Sequence, residues 1–140
     1  QKEMDEVLNK KSGLKGISSF SDMREIVSEK NNGNERALLA FEMLIYQIKK
    51  YIGSYAAVLG SLDAIVFTAG IGENNPDIRK QVCENLEIFG IKIDDDKNNS
   101  IKAGNTCDIH GNESDVSVFV IPTNEELQIV RETYEVLTTS

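Results

Sequence analysis

The sequence has 140 residues and a formal net charge of −8. That length suits one domain with a true core but is short for an enzyme built of two lobes. No stretch approaches the ~20 apolar residues needed to cross a bilayer, and the acidity excludes a nucleic-acid surface, which needs clustered Lys and Arg.

The chain opens on Gln1-Lys2-Glu3-Met4. It is charged at once, unlike a secretory signal, and without an initiator Met it reads as a piece of something longer. Residues 3–10 predict a short helix, Ser12–Ser21 a loop rich in Gly and Ser, and Asp22 to about Lys30 a second helix. Asn31-Asn32-Gly33 is its stop, in the manner of a C-terminal glycine. The strongest helical pattern covers Asn34–Leu59. Leu38, Phe41, Ile45, Ile48, Ile52, Tyr55 and Leu59 recur at spacings of three and four, and Leu44, Tyr51 and Val58 widen the stripe. A helix of that length is roughly 39 Å long, so its face can serve as core, as a subunit contact, or as both.

Ala64–Ala69 is a short apolar run ahead of a glycine turn, which suits a strand buried on both faces. A helix is predicted from Pro76 to Phe89, ended by Gly90, and Ile91-Lys92-Ile93 can form a short strand. Asp94–Gly104 is polar and turn-like. Its Asp94-Asp95-Asp96 run lacks an EF-hand pattern and reads as a solvated turn. Thr106–His110 and Val116–Ile121 read as strands joined at Gly111-Asn112, with a last helix over Asn124–Leu137. His110 has no partner motif and receives no role. Cys83 and Cys107 lack metal or disulfide spacing and read as reduced packing residues, which points to the cytoplasm. Helices alternating with strands give an α/β domain with a mixed sheet.

Three segments can carry chemistry. In Phe67–Pro76 a strand ends in Gly70-Ile71-Gly72, and a helix follows with Asn75 as N-cap and Pro76 at its first position. Unpaired N–H groups and a helix dipole can hold phosphate there, although glycines also serve such turns for their dihedrals. The Lys-Ser/Thr ending of a Walker loop is absent. In Val118–Leu127 a second strand leads to a polar helix start. Thr123 and Glu126 have capping-box spacing, which leaves Glu125 either as a metal carboxylate or as a solvated first-turn residue. In Ser18–Arg24 a helix start carries Arg24, whose guanidinium can stack on an adenine or fork to an acceptor. The net acidity does not exclude one nucleotide, because backbone N–H groups and a carboxylate near Mg²⁺ can hold a metal-complexed triphosphate.

Together these segments resemble the acetate kinase family. Its most specific strings are Phe67–Asn74 (FTAGIGEN) and Val120–Leu127 (VIPTNEEL), and the likeness also takes in Gly90–Asp95. The resemblance implies a ribonuclease-H-like fold of the superfamily that includes sugar kinases and actin, with a mixed sheet flanked by helices, one of them long. It further implies that this is the C-terminal, nucleotide-binding domain of a two-domain enzyme that transfers phosphate reversibly between ATP and acetate, giving ADP and acetyl phosphate. By motif, Asp22, Met23 and Arg24 correspond to the adenine and ribose segment. Gly70, Ile71, Gly72, Glu73 and Asn74 correspond to the loop that holds the nucleotide, and Glu125 to the Mg²⁺ glutamate. The catalytic residues and the acetate pocket are expected upstream, so the chain by itself is expected to be inactive. A homodimer through this domain is implied, with no nucleic-acid or membrane partner. A propionate kinase of the same family and a non-catalytic nucleotide-binding or dimerisation module are the alternatives.

Overall fold

The computed structural model describes residues 2–102 and 104–138, apart from the side chain of Glu125. These residues fall into two compact units. One comprises the chain up to Leu62 with Gln81–Glu84, the other Asp63–Lys80 with the chain from Asn85 onward.

The first unit is helical, with α1 over Lys2–Lys10, α2 over Gly13–Ser18, α3 over Met23–Asn31 and α4 over Glu35–Leu59. Helix α4 begins and ends where local chemistry dictates. Asn34 Oδ1 accepts the N–H groups of Arg36 and Ala37, and Gly60 adopts φ +75° just past the last turn, a conformation that costs glycine little. Met23 and Ile26 of α3 and Ala37, Ala40, Phe41 and Ile45 of α4 are buried.

One expectation fails in this unit. The segment read as a Gly/Ser loop contains α2. Its last carbonyls are satisfied from outside, by Arg36 Nε to Ile17 O at 2.7 Å and Nη2 to Gly16 O at 3.3 Å, and Ser18 Oγ donates to Leu14 O. Partners nearly twenty residues away override a weak local propensity. Of the apolar stripe of α4, Phe41 and Ile45 are buried, whereas Leu38, Tyr51, Tyr55, Val58 and Leu59 are exposed, which fits a face that is part core and part open surface.

The second unit holds β1 (Ala64–Phe67), α5 (Ala69–Asn74), α7 (Asp95–Asn99), β2 (Cys107–Asp108), β3 (Ser117–Val120) and α8 (Glu125–Thr138). Helix α6 (Pro76–Cys83) starts in it. The three strands lie in the order β1-β3-β2. β3 runs parallel to β1, with Ala64 opposite Ser117 and Phe67 opposite Val120, and antiparallel to β2. The protein is thus a helix-rich α/β chain with a small mixed sheet.

β1 is not buried on both faces as expected: Val66 is 49% exposed. It is the edge of the three-stranded sheet, whereas central β3 buries Val118 and Val120. The helix expected to reach Phe89 stops at Cys83, because Asn85 turns left-handed at φ +58°, a conformation Asn tolerates better than most residues. A 3-10 turn at Glu87–Phe89 follows and ends at Gly90. Glycine is required there, since a Cβ would lie 2.9 Å from the Asp115 Cβ. Ile91–Ile93 gives only one bridge, Ile93 to His110, because the Lys92 N–H is taken by Ser114 Oγ. The polar Asp94–Gly104 segment contains α7, with Asp94 Oδ1 accepting the Lys97 N–H at 3.0 Å. The aspartate run is therefore a helix cap and first turn. Among the described residues no helix is long and apolar enough to cross a membrane.

Candidate functional site

Because β1 and β3 are parallel neighbours, their carboxyl ends emerge side by side, where α/β sheets bind ligands. Each end delivers a helix, β1 through Thr68 into α5 and β3 through Ile121–Asn124 into α8. An open groove of about 380 Å³ lies between the two turns, lined by Ala69, Gly70, Thr123, Asn124 and Glu126.

The residues read as a glycine loop are themselves helical, so the N–H groups at the groove belong to the start of α5, with Thr68 extended at its N-cap. Pro76 does open α6, and the Asn75 carbonyl accepts the Arg79 N–H. The Asn75 side chain, however, turns back and donates to Ile71 O at 2.9 Å. Asn74 Nδ2 likewise donates to Gly70 O at 3.0 Å. Ala69 sits at φ +57°, a left-handed strain worth about 1 kcal/mol for a residue with a Cβ, stored at the mouth of the groove.

Gly70 and Gly72 do different jobs. A Cβ on Gly72 would meet the Phe67 carbonyl carbon at 3.2 Å, so this glycine lets α5 lie close against β1; a Cβ on Gly70 would meet nothing within 4 Å. Beneath α5, the guanidinium of Arg79 is buried. Its Nη1 donates to Gly72 O at 2.7 Å and to Glu73 O at 2.8 Å. Its Nε and Nη2 donate to Asn98 Oδ1 and O at 2.7 and 3.0 Å, and Asn98 Nδ2 donates onward to Pro76 O at 2.9 Å. A cation against the last carbonyls of α5 suits the negative end of that helix.

The capping box expected between Thr123 and Glu126 does not form. Asn124 is the cap, its Oδ1 accepting the Leu127 N–H at 3.0 Å. The Thr123 N–H and hydroxyl are instead taken by Glu73 Oε1, at 2.8 and 3.1 Å. This one-residue shift leaves the Glu126 carboxylate on the groove wall. Glu125 opens α8, and its side chain lies outside the described residues. Asn ranks above Thr as an N-cap, so the shift had a signal in the sequence. The Arg79–Asn98 pair, nineteen residues apart, had none.

Asp22, Met23 and Arg24 belong to the first unit. Asp22 caps α3 by accepting the Arg24 N–H at 2.8 Å. Arg24 also folds its guanidinium onto that carboxylate, with Nη2 2.6 Å from Oδ2. The Arg24 side-chain hydrogen bonds, followed by its backbone N–H, hold the Asp22 carboxyl down at about 2. Met23 is a core residue at 5% exposure. Among the described residues no three acidic, His or Cys side chains cluster tightly enough to hold a metal by themselves.

Two parallel strands that each break into a helix at one sheet edge, around a groove bounded by glycine and glutamate, define an α/β protein with a candidate ligand groove. The chain belongs to the acetokinase family, whose model matches residues 1–131. It is 53% identical over 137 residues to the acetate kinase of Caldicellulosiruptor saccharolyticus, covering 97% of this chain and 34% of that protein. The crystal structure of Porphyromonas gingivalis acetate kinase superposes with a TM-score of 0.85 at 46% identity, covering 96% of this chain and 34% of that one. A propionate kinase from Francisella tularensis superposes with a TM-score of 0.81 at 40% identity, covering 91% and 32%. The chain thus spans about a third of the length of the curated relatives it matches.

Proposed function

We propose that this chain is the C-terminal, ribonuclease-H-like, nucleotide-holding part of an acetate-kinase-type phosphotransferase, which in the complete enzyme moves a phosphoryl group between ATP and acetate. The observation that carries this reading is the groove, where the start of α5, with open space at Gly70, faces the Glu126 carboxylate across the ends of two parallel strands. N–H groups at a helix start suit phosphate oxygens. A wall bearing Glu126, in a chain of net charge −8, repels a bare polyphosphate and accepts one whose charge is offset by a divalent cation. Mg²⁺ takes one or two carboxylates together with substrate phosphates, so Glu126 on the groove wall fits as a protein ligand, and the family resemblance gives Glu125 the same role. Bound there, the ion would neutralise charge on the phosphates. Gly70, Ile71, Gly72, Glu73 and Asn74 form the phosphate-side turn, and Asp22, Met23 and Arg24 serve the adenosine end.

Phosphoryl transfer needs charge neutralisation from both sides of the reacting group. Here only the nucleotide side is proposed, so acetate or acetyl phosphate is bound by sequence outside this chain, and the chain alone forms no acetyl phosphate. The likeness to a propionate kinase leaves propionate as the alternative acceptor. Cys83 and Cys107 are not joined in a disulfide, which favours a reducing, cytoplasmic setting. The exposed Tyr51, Tyr55, Val58 and Leu59 of α4 favour a homodimer seated on that face, which sedimentation of the chain tests by a dimer mass that Tyr55→Glu lowers.

Calorimetric titration with ADP tests the nucleotide assignment. Heat is expected with Mg²⁺ and not with EDTA, and Gly70→Val should abolish it while leaving the thermal melt in place. Equal heats for wild type and Gly70→Val would sink the assignment.

A further inference from the structure

Glu73 of α5 is bonded to the β3–α8 turn. Its carboxylate accepts the backbone N–H of Thr123 at 2.8 Å and the Thr123 hydroxyl at 3.1 Å, a tie between residues fifty positions apart. Glu73 is itself anchored, because its carbonyl receives Nη1 of buried Arg79 at 2.8 Å. A chain of contacts therefore runs from Asn98 through Arg79 and Glu73 to Thr123. Thr123 immediately precedes Asn124, the cap of α8, and Glu126 stands on that helix's first turn. Whatever fixes the Thr123 backbone also fixes the direction in which α8 presents Glu126.

The same contacts argue about charge. A free carboxylate on α5 would oppose an anionic ligand, whereas one already accepting an N–H and an O–H has its charge partly offset. They also occupy both Thr123 donors, so the β3–α8 side offers the Glu126 carboxylate and the α5 side offers N–H groups.

We propose that Glu73 is a positioning residue that latches the β3–α8 turn to the glycine turn through the Thr123 N–H, and that it acts on a bound nucleotide through that latch and not by touching it. The effect on nucleotide rests on the function proposed above; the latch does not.

The test compares wild type, Glu73→Gln and Glu73→Ala in the ¹⁵N-labelled chain by amide hydrogen exchange, followed by MgADP titration. Losing a charge-assisted hydrogen bond should speed Thr123 exchange about tenfold or more in Glu73→Ala, with the β3 amides unchanged. In Glu73→Gln the side-chain oxygen still accepts, so Thr123 should stay within about threefold of wild type. MgADP affinity should fall about tenfold in Glu73→Ala and recover in Glu73→Gln. Unchanged Thr123 exchange in Glu73→Ala overturns the latch. So does a Glu73→Gln variant that binds MgADP as poorly as Glu73→Ala, since the charge itself would then be the contact. If wild type takes up no MgADP, the nucleotide reading falls, and Thr123 exchange still decides the latch.

Discussion

Replacing Arg79 with Met removes a buried guanidinium while keeping an unbranched apolar side chain. The substitution strips hydrogen bonds from four acceptors: the carbonyls of Gly72, Glu73 and Asn98 and the Asn98 side-chain oxygen. At about 1–3 kcal/mol for each buried group left unpaired, simple addition would reach most of a domain's stability of about 5–15 kcal/mol. The four share one donor group and are not independent, so the better guide is the cost of breaking a buried charged network, about 3–5 kcal/mol. Arg79→Lys keeps the charge but presents donors from one point instead of a planar fork, so it should recover about half of that loss. Asn98→Ala removes one of the acceptors together with the donor to Pro76 O and should cost about 1–3 kcal/mol. The pair should couple by about 1–2 kcal/mol in a double-mutant cycle. Native-state hydrogen exchange at the buried Val118 and Val120 amides of β3, followed through a urea series, reads these losses in the second unit. A loss below about 1 kcal/mol for Arg79→Met would refute the reasoning, because a guanidinium with four buried acceptors cannot be that dispensable.

The two glycines of the turn should separate. Gly72→Ala puts a Cβ 3.2 Å from the Phe67 carbonyl carbon and should lower stability by about 1–2 kcal/mol in a thermal melt. Gly70→Ala meets nothing within 4 Å, should leave the melt within about 0.5 kcal/mol of wild type, and should still weaken MgADP. For Asp22, a carboxyl ¹³C titration should show a midpoint near 2, below the ordinary value of about 3.9, and Arg24→Ala should return it there. The sign follows from linkage. A depressed carboxylate adds stability that is fully present above the ordinary value and disappears as the pH falls through about 2.

What the sequence disclosed was what short-range chemistry controls. Asn34 and Gly60 bounded α4 because a cap and a left-handed glycine act within one turn, and Asp22 capped α3 for the same reason. The two strand-to-helix turns, and the polar residues gathered there, were also legible. Two of the failures share a cause. Helix α2 depends on Arg36, and α7 is held through Asn98 and the Arg79 guanidinium. Each involves a donor and an acceptor far apart in sequence that meet only once the chain is folded. A pattern of neighbours cannot report such pairs, and all of them bear on where an element starts or stops, the boundary that a single long-range hydrogen bond can move.

The G-x-G spacing shows why the two glycines of one motif need not share a job. In a loop, two glycines one residue apart can both face a ligand. In a helix, residues two apart project about 200° from each other, so one must face away from what the other faces. Since Ala69–Asn74 is helical, Gly72 is pressed against β1 and only Gly70 is left to the groove. The first glycine therefore carries the ligand argument and the second carries packing. A substitution survey of the motif should find intolerance at both positions for different reasons, loss of fold at Gly72 and loss of binding at Gly70. The Gly70→Ala and Gly72→Ala pair distinguishes those reasons by the order in which melting and binding fail.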